Sequence, residues 1–543
     1  MADQRFDYVV VGAGSAGCAV ASRLSEDPAA QVLVLEAGPP ADIAEVTMPA
    51  AFPRLFRTRW DWSYQTVPQV GLGGRSAYWP RMKALGGCSA MNAMIYVRGH
   101  PADFDGWVRD FGAVGWSYAD VLPYFVRAEA NSRLGPPLHG TRGPLHVEDR
   151  RYTHPLVDAW IAGAVAAGLP VNHDFNGVEQ LGVGRYQVTC RNGRRCSAAT
   201  AYLDPARGRA NLTVRTNALA TRVLLEGPRA TGVAYLQEGV EHRVHADAEV
   251  ILCGGAVNSP QLLMLSGVGP ERHLRSHGIE TIVDLPGVGS NLHDHPAAPL
   301  VWRTRGATDL AVDLLTPVRV AAWQLTRRGP MTSNIAEGGG FVSTRSGLAG
   351  PDLQLHLTAA ASYDHGFHEP RPRAFTVAPT VVDVASRGTL RLRGADPRWR
   401  PLLDPGYFSD PADLAVMKAG ARLAIELTRT GAFGRFVDRP HLHASDSLDD
   451  AALENYLAEQ TQTLYHPVGT CALGTGSGAV VDPGLRVHGL QGLRVADASV
   501  MPRIVRGNTN AAAIMIGEKA VDLIRGRTLR RVEAPAADLE NVA

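Results

Sequence analysis

Short apolar runs closed by glycine set the rhythm of much of the chain. Tyr8-Val9-Val10-Val11, Val32-Leu33-Val34-Leu35 and Val250-Ile251-Leu252-Cys253 are continuous rather than alternating, the pattern of strands covered on both faces in a parallel sheet. A helical pattern lies between the first two. Leu212 to Thr216 and Ala220 to Leu225 read as further short strands, and Ser259-Pro260 predicts a helix start with a capping hydroxyl and proline in the first position. From about Trp302 to Gln460 the texture changes. Ala374 to Val384 and Gly388 to Arg393 alternate as antiparallel strands with one wet face, and Asp410 is placed to cap a helix running from Pro411 toward Thr428. The pattern is that of an α/β nucleotide-binding unit carrying an inserted antiparallel-sheet domain of the α+β kind.

The glycines make the first unit specific. Gly12, Gly14 and Gly17 follow the first strand as G-x-G-x-x-G. Gly12 makes the tight turn, Gly14 admits a pyrophosphate close to the backbone, and Gly17 lets helix and strand pack closely. Ser15 and Ala16 open the helix whose free N–H groups receive the phosphates. Glu36 stands about 20 positions beyond Gly17, at the end of the second strand beside Ala37, where a carboxylate accepts hydrogen bonds from ribose hydroxyls. This Rossmann-like grip identifies a dinucleotide and leaves NAD and FAD both open.

A second glycine-gated stretch follows in Gly86-Gly87-Cys88-Ser89-Ala90-Met91-Asn92-Ala93-Met94-Ile95. The glycine pair permits backbone to approach a flat ligand, small residues keep the space open, and Asn92 offers donors and acceptors. Together with Gly255-Ala256-Val257-Asn258-Ser259-Pro260-Gln261 further on, this segment resembles the paired signatures of the glucose-methanol-choline (GMC) oxidoreductases, with a choline-dehydrogenase-like character. The resemblance implies FAD and the oxidation of an alcohol. It places Gly86, Gly87, Ser89, Asn92, Ala93, Met94 and Ile95 along the cofactor, Val223 at the adenine end, and Asp497 with Ala498, Asn508 and Thr509 near the flavin side. It also implies an interleaved chain: an FAD-binding domain built from 1–155, 206–300 and 461–527, a substrate domain from 156–205 and 301–460, and a tail at 528–543.

His466 in Tyr465-His466-Pro467 and Asn510 in Gly507-Asn508-Thr509-Asn510 match the family's catalytic pair. Hydride loss from an alcohol carbon requires the hydroxyl proton to leave, and a histidine of ordinary pKa ~6.5 suits the base. Asn510 is expected to donate to the same oxygen, an electrostatic contribution of about 3 kcal/mol. The helix after Asn510 would point its partial positive end at the flavin. Members that attach FAD covalently carry His where this chain has Met91, so non-covalent FAD is expected. Two other readings share the scaffold: a hydroxynitrile lyase with a non-redox FAD, and a flavin-binding protein without catalysis.

Charge narrows the partners. With 54 Lys plus Arg against 53 Asp plus Glu, no global field recruits nucleic acid. Apolar stretches such as Pro317 to Leu325 are too short for the roughly 20 residues of a membrane span, and no secretory signal is visible, so a cytoplasmic protein is expected. The six cysteines lack a C-x-x-C pair and read as free thiols, with Cys190 and Cys196 the one candidate disulfide or half metal site; no metal centre is expected. Tyr465 and Trp62, with Trp60 nearby, are candidate walls for a small-molecule alcohol, and no carboxylate is identified to pair with a quaternary ammonium. The electron acceptor, O2 or a quinone or artificial acceptor, and the choice of monomer or homodimer stay open.

Overall fold

The computed structural model describes residues 4–306, 316–368, 372–442 and 449–533; the end of the anticipated tail lies outside them. The apolar runs assemble as one sheet. Gln4–Val11 is its hub, flanked in parallel by Val32–Leu35 on one side and Val240–Leu252 on the other; Leu212–Arg215 extends the first edge and Leu493–Val495 pairs with the end of Val240–Leu252. The core positions Val9, Val10, Val32 to Val34, Val250 and Ile251 are fully buried, as strands covered on both faces require. Val240–Leu252 is long enough to serve both the parallel and the antiparallel part of this sheet. Its first half closes an antiparallel meander with Ala218–Glu226 and Arg229–Gln237, and its second half joins the parallel strands.

The alternating segments form a second, antiparallel sheet ordered Val437–Pro440, Leu300–Thr304, Ala374–Val381, Leu353–Thr358, Ala336–Val342 and Gly182–Arg185. The helix Pro411–Leu427 packs on its Ala374–Val381 strand, and the Asp410 carboxylate caps it by accepting from the Ala412 N–H at 2.9 Å. Thr389–Arg391 pairs with Leu402–Asp404 as a separate ribbon rather than extending the sheet.

One element begins earlier than its local signals predict. The helix starts at Gly255 and runs to Leu265, so Pro260 sits in its interior and the Ser259 hydroxyl is not its cap. Proline there removes the hydrogen bond to the carbonyl four residues back, that of Ala256. Thr470 Oγ1 donates to that carbonyl at 2.7 Å, so tertiary structure satisfies the group the proline leaves orphaned.

Candidate active site

An elongated cavity runs from the ends of the parallel strands to the second sheet. Its walls take in Glu36, Ala37 and Ala218 to Ala220, then Gly12, Gly14, Ser15, Ala16, Gly87 and Asp497 with Ala498, and finally Asn92 to Ile95, His466, Asn508 and Thr509.

The first stretch is shaped to a nucleotide. The buried Glu36 carboxylate accepts from Ala13 N–H at 2.9 Å and Gly38 N–H at 2.8 Å, and burial pushes its pKa up to about 7. Each oxygen retains a lone pair for a ribose hydroxyl. Gly12 has φ +100°, and a Cβ there would stand 2.6 Å from the Cys253 carbonyl oxygen. Gly87, at φ +48°, would drive a Cβ to 2.6 Å from the Gly14 Cα. Two loops thus meet backbone to backbone, leaving a cradle that only glycines allow and that fits the pyrophosphate of FAD. Gly17 is buried within the helix Ser15–Leu24 behind that cradle.

Gly86 and Ser89 brace the second loop and do not face the cavity. Ser89 Oγ donates to the Gly86 carbonyl at 2.5 Å and accepts from Ala198 N–H at 2.8 Å. Val223 is not among the residues that line the cavity. It is buried in the meander, where its N–H donates to Ser266 Oγ at 2.8 Å, and the strand's beginning, Ala218 to Ala220, supplies the cavity wall instead. Asp497 accepts from Gly255 N–H at 2.8 Å, Ser259 Oγ at 2.6 Å and Ser499 N–H at 2.8 Å, which orders the turn where three segments converge.

The two asparagines near the C-terminus separate in role. Asn510 opens the helix Asn510–Ile524, and its Oδ1 accepts from Ser15 Oγ at 2.7 Å, tying that helix to the first turn of Ser15–Leu24. It makes no hydrogen bond to His466. Asn508 does: its Nδ2 lies 3.3 Å from His466 Nε2. Gln354 Nε2 lies 3.5 Å from Asn508 Oδ1 and 3.2 Å from the Tyr186 hydroxyl, an arrangement that orients the Asn508 amide with its N–H toward the histidine.

His466 is held at three points. Its backbone N–H donates to Asp294 Oδ1 at 2.8 Å, and the other oxygen of Asp294 accepts from the Tyr407 hydroxyl at 2.5 Å. Its Nδ1 lies 3.0 Å from Nδ1 of His295, and Asn508 takes the third side. An amide N–H facing Nε2 leaves that nitrogen as an acceptor, which puts the ring proton on Nδ1 and directs it to His295. Burial, with the neighbouring His295 and Arg81, holds the His466 imidazole well below its ordinary pKa. Burial likewise lowers His295 to about 3. Both rings are therefore neutral near pH 7, and Nε2 of His466 is a free base facing the cavity.

Aromatic side chains enclose the same end. The Tyr465 hydroxyl lies 2.7 Å from His365 Nδ1, and Phe56 lies against Tyr465 with ring centroids 5.9 Å apart. Trp62 lines the cavity, stacked on Tyr64 and with Lys83 Nζ 4.6 Å from its ring; Trp60 lies behind, under Arg59. Among the described residues the lining carboxylates are Glu36 and Asp497, both in the nucleotide stretch, while Arg81 lines the region near Tyr465.

Similarity to known proteins extends along almost the whole chain. GMC oxidoreductase profiles match residues 6–297 and 384–517. The chain belongs to the GMC oxidoreductase family. It is 42% identical over 537 residues to human mitochondrial choline dehydrogenase, covering 96% of this chain and 90% of that one. It is 40% identical over 541 residues to the alcohol dehydrogenase [acceptor] of Pseudomonas putida, covering 98% and 97%. Its fold superposes on a pyridoxine 4-oxidase crystal structure with a TM-score of 0.88 at 31% identity, covering 96% of this chain and all of the other. This GMC oxidoreductase is accordingly an FAD-dependent enzyme acting on CH–OH groups, with a Rossmann-like FAD-binding domain and a substrate domain.

Local motifs did not expose His295, Asp294, His356 or His365. The first two lie in Asn291-Leu292-His293-Asp294-His295-Pro296, whose density of titratable side chains is the available signal. His365 stands in a stretch with no periodicity to mark it.

Proposed function

We propose that this enzyme oxidises a neutral primary alcohol to its aldehyde, with His466 Nε2 as the base and Asn508 as the donor to the alcohol oxygen. The observation that carries the reading is the convergence of Asn508 Nδ2 and His466 Nε2, 3.3 Å apart, on the cavity wall. An alcohol oxygen set against both atoms would pass its proton to Nε2 while the amide N–H, turned from Nε2 to that oxygen, supports the charge developing on it. His295 would share the imidazolium charge through the Nδ1 contact. Bound FAD supplies the hydride acceptor.

The described substrate end favours a neutral molecule. Phe56, Tyr465 and Trp62 offer apolar faces, the described residues lining that end include no carboxylate for a quaternary ammonium, and Arg81 opposes a cation. Asn510, bonded to Ser15, is a residue of the cofactor cradle. Met91 is buried in the cavity wall and has no nucleophile for flavin attachment, which supports non-covalent FAD; acid precipitation should release the yellow colour, and colour retained in the pellet contradicts that part of the reading. Anaerobic mixing with primary alcohols tests the reaction. Bleaching of the flavin with stoichiometric aldehyde is expected. Aldehyde formed from a cyanohydrin, with the flavin never bleaching, would overturn it in favour of a lyase.

A further inference from the structure

The helix Pro317–Thr326 has more apolar surface than its packing uses. Trp323 is its buried anchor, 3% exposed, with Nε1 donating to the Gly193 carbonyl at 3.0 Å. On the opposite face, Val318, Ala321, Ala322 and Leu325 fall at i, i+3, i+4 and i+7, a single stripe. Val318 is 78% exposed and Leu325 85% exposed. Single exposed apolar residues need no explanation, but two on one face of one short helix are a directed surface.

The surroundings of this helix are basic. Gly193 belongs to a hairpin in which Cys190–Arg191 pairs with Arg194–Arg195, and both Arg191 and Arg194 project into solvent. Arg327 and Arg328 follow the helix, the first with its guanidinium 4.2 Å from the Trp323 ring centroid. No carboxylate pairs with Arg191, Arg194 or Arg328 among the described residues. The adjacent acid, Glu148, is occupied by the Asn192 and Gly193 N–H groups and by Arg151. A cleft beside the hairpin adds Arg142, Arg209 and His146 to Arg191 and Arg194, and its acid, Glu26, is paired with Arg23 at 2.7 Å.

We propose that the helix Pro317–Thr326 and the arginines around it form a docking face for an anionic phospholipid bilayer, on which the enzyme rests peripherally. An exposed apolar stripe on a helix that runs into Arg327 and Arg328, with Arg191 and Arg194 on the neighbouring hairpin, is the chemistry of an interfacial helix: the stripe enters the headgroup boundary and the guanidiniums meet lipid phosphates. At ten residues the helix is too short to cross a bilayer, so it lies in the interface. The face is continuous with the cavity wall. The turn Pro330–Thr332 packs on both this helix and Pro49–Leu55, whose Phe52 and Pro53 line the cavity.

Sedimentation of the FAD-loaded enzyme with phosphatidylcholine vesicles, with and without phosphatidylglycerol, tests the proposal. The enzyme should pellet with the anionic vesicles and be released by salt. The variants V318E/L325E and R191S/R194S should each weaken that binding by about tenfold or more, while anaerobic flavin reduction by a soluble alcohol stays unchanged. The proposal is overturned if the enzyme pellets with neither vesicle, binds both equally, or binds as well with Val318→Glu/Leu325→Glu in place. It is also overturned if light scattering shows a dimer that this double variant splits, since the stripe then belongs to a second copy of the chain.

Discussion

Replacing Asn508 by Ala removes the one amide N–H that faces His466 Nε2 and leaves the base itself in place. The Asn508 amide is held in orientation by Gln354, which Tyr186 supports in turn, so its dipole needs no reorganisation as charge develops on the alcohol oxygen. A preorganised donor of this kind contributes about 3 kcal/mol, which converts to a loss of about 150-fold in the rate of flavin reduction. Asn510→Ala is the matched control two residues away. It deletes the 2.7 Å hydrogen bond to Ser15 Oγ, a neutral pair contributing about 1 kcal/mol, so its effect should be about fivefold weaker FAD retention with flavin reduction near wild type. The assay is anaerobic stopped-flow reduction of fully loaded enzyme at saturating alcohol, paired with FAD release on dilution. A hundredfold slower reduction in N510A together with a near-normal N508A would refute the reasoning and return the donor role to Asn510.

Three further outcomes follow from the same geometry. Because burial lowers the His466 pKa, its base form persists below pH 6.5, and the acid limb of kcat/KM should fall below that value; a limb above pH 7 would contradict the neutral, desolvated ring. Stability has a related sign: His293, His295, His356 and His466 are buried and His365 is half-buried, all with folded pKa values below their unfolded ones, so unfolding takes up protons as pH falls through about 6.5. Each such ring removes up to about 1.4 kcal/mol per pH unit below that point, and the Tm of the loaded enzyme should drop between pH 7 and 5; a flat Tm would refute it. His295→Ala should lower kcat and move the acid limb with KM little changed, and a variant that changes only Tm would leave His295 a packing residue. Gly87→Ala, whose Cβ would stand 2.6 Å from the Gly14 Cα, should yield protein depleted of FAD, measured by the ratio of flavin to protein absorbance, and full occupancy would contradict the cradle.

The parts that were legible in the sequence are those whose physics is local. Continuous apolar runs, the glycine turn at Gly12 and the acid at Glu36 each express a short-range constraint, and the strands they mark are the ones gathered around Gln4–Val11. What was not legible depends on partners far along the chain. Pro260 reads locally as a helix start, and only the distant Thr470 makes it tolerable inside the helix. Asn508 and Asn510 have the same chemistry at nearly the same place. Which one meets His466 is decided by where the helix Asn510–Ile524 begins and by Ser15 taking the second asparagine, facts of packing that no motif contains. His295 is similar, a base-pairing partner 171 positions from His466 in the chain.

In the proposed reaction the alcohol's hydroxyl proton goes to His466 while hydride leaves the carbinol carbon for the cofactor. Anaerobic stopped-flow reduction with an alcohol deuterated at the carbinol carbon, run on wild type and on His466→Ala, tests it most directly. Bleaching that deuterium slows is expected in the wild type, and far slower bleaching in the variant, with partial recovery as pH rises and alkoxide forms in solution. Bleaching in the variant at the wild-type rate, or no bleaching of wild type by any alcohol, would contradict it.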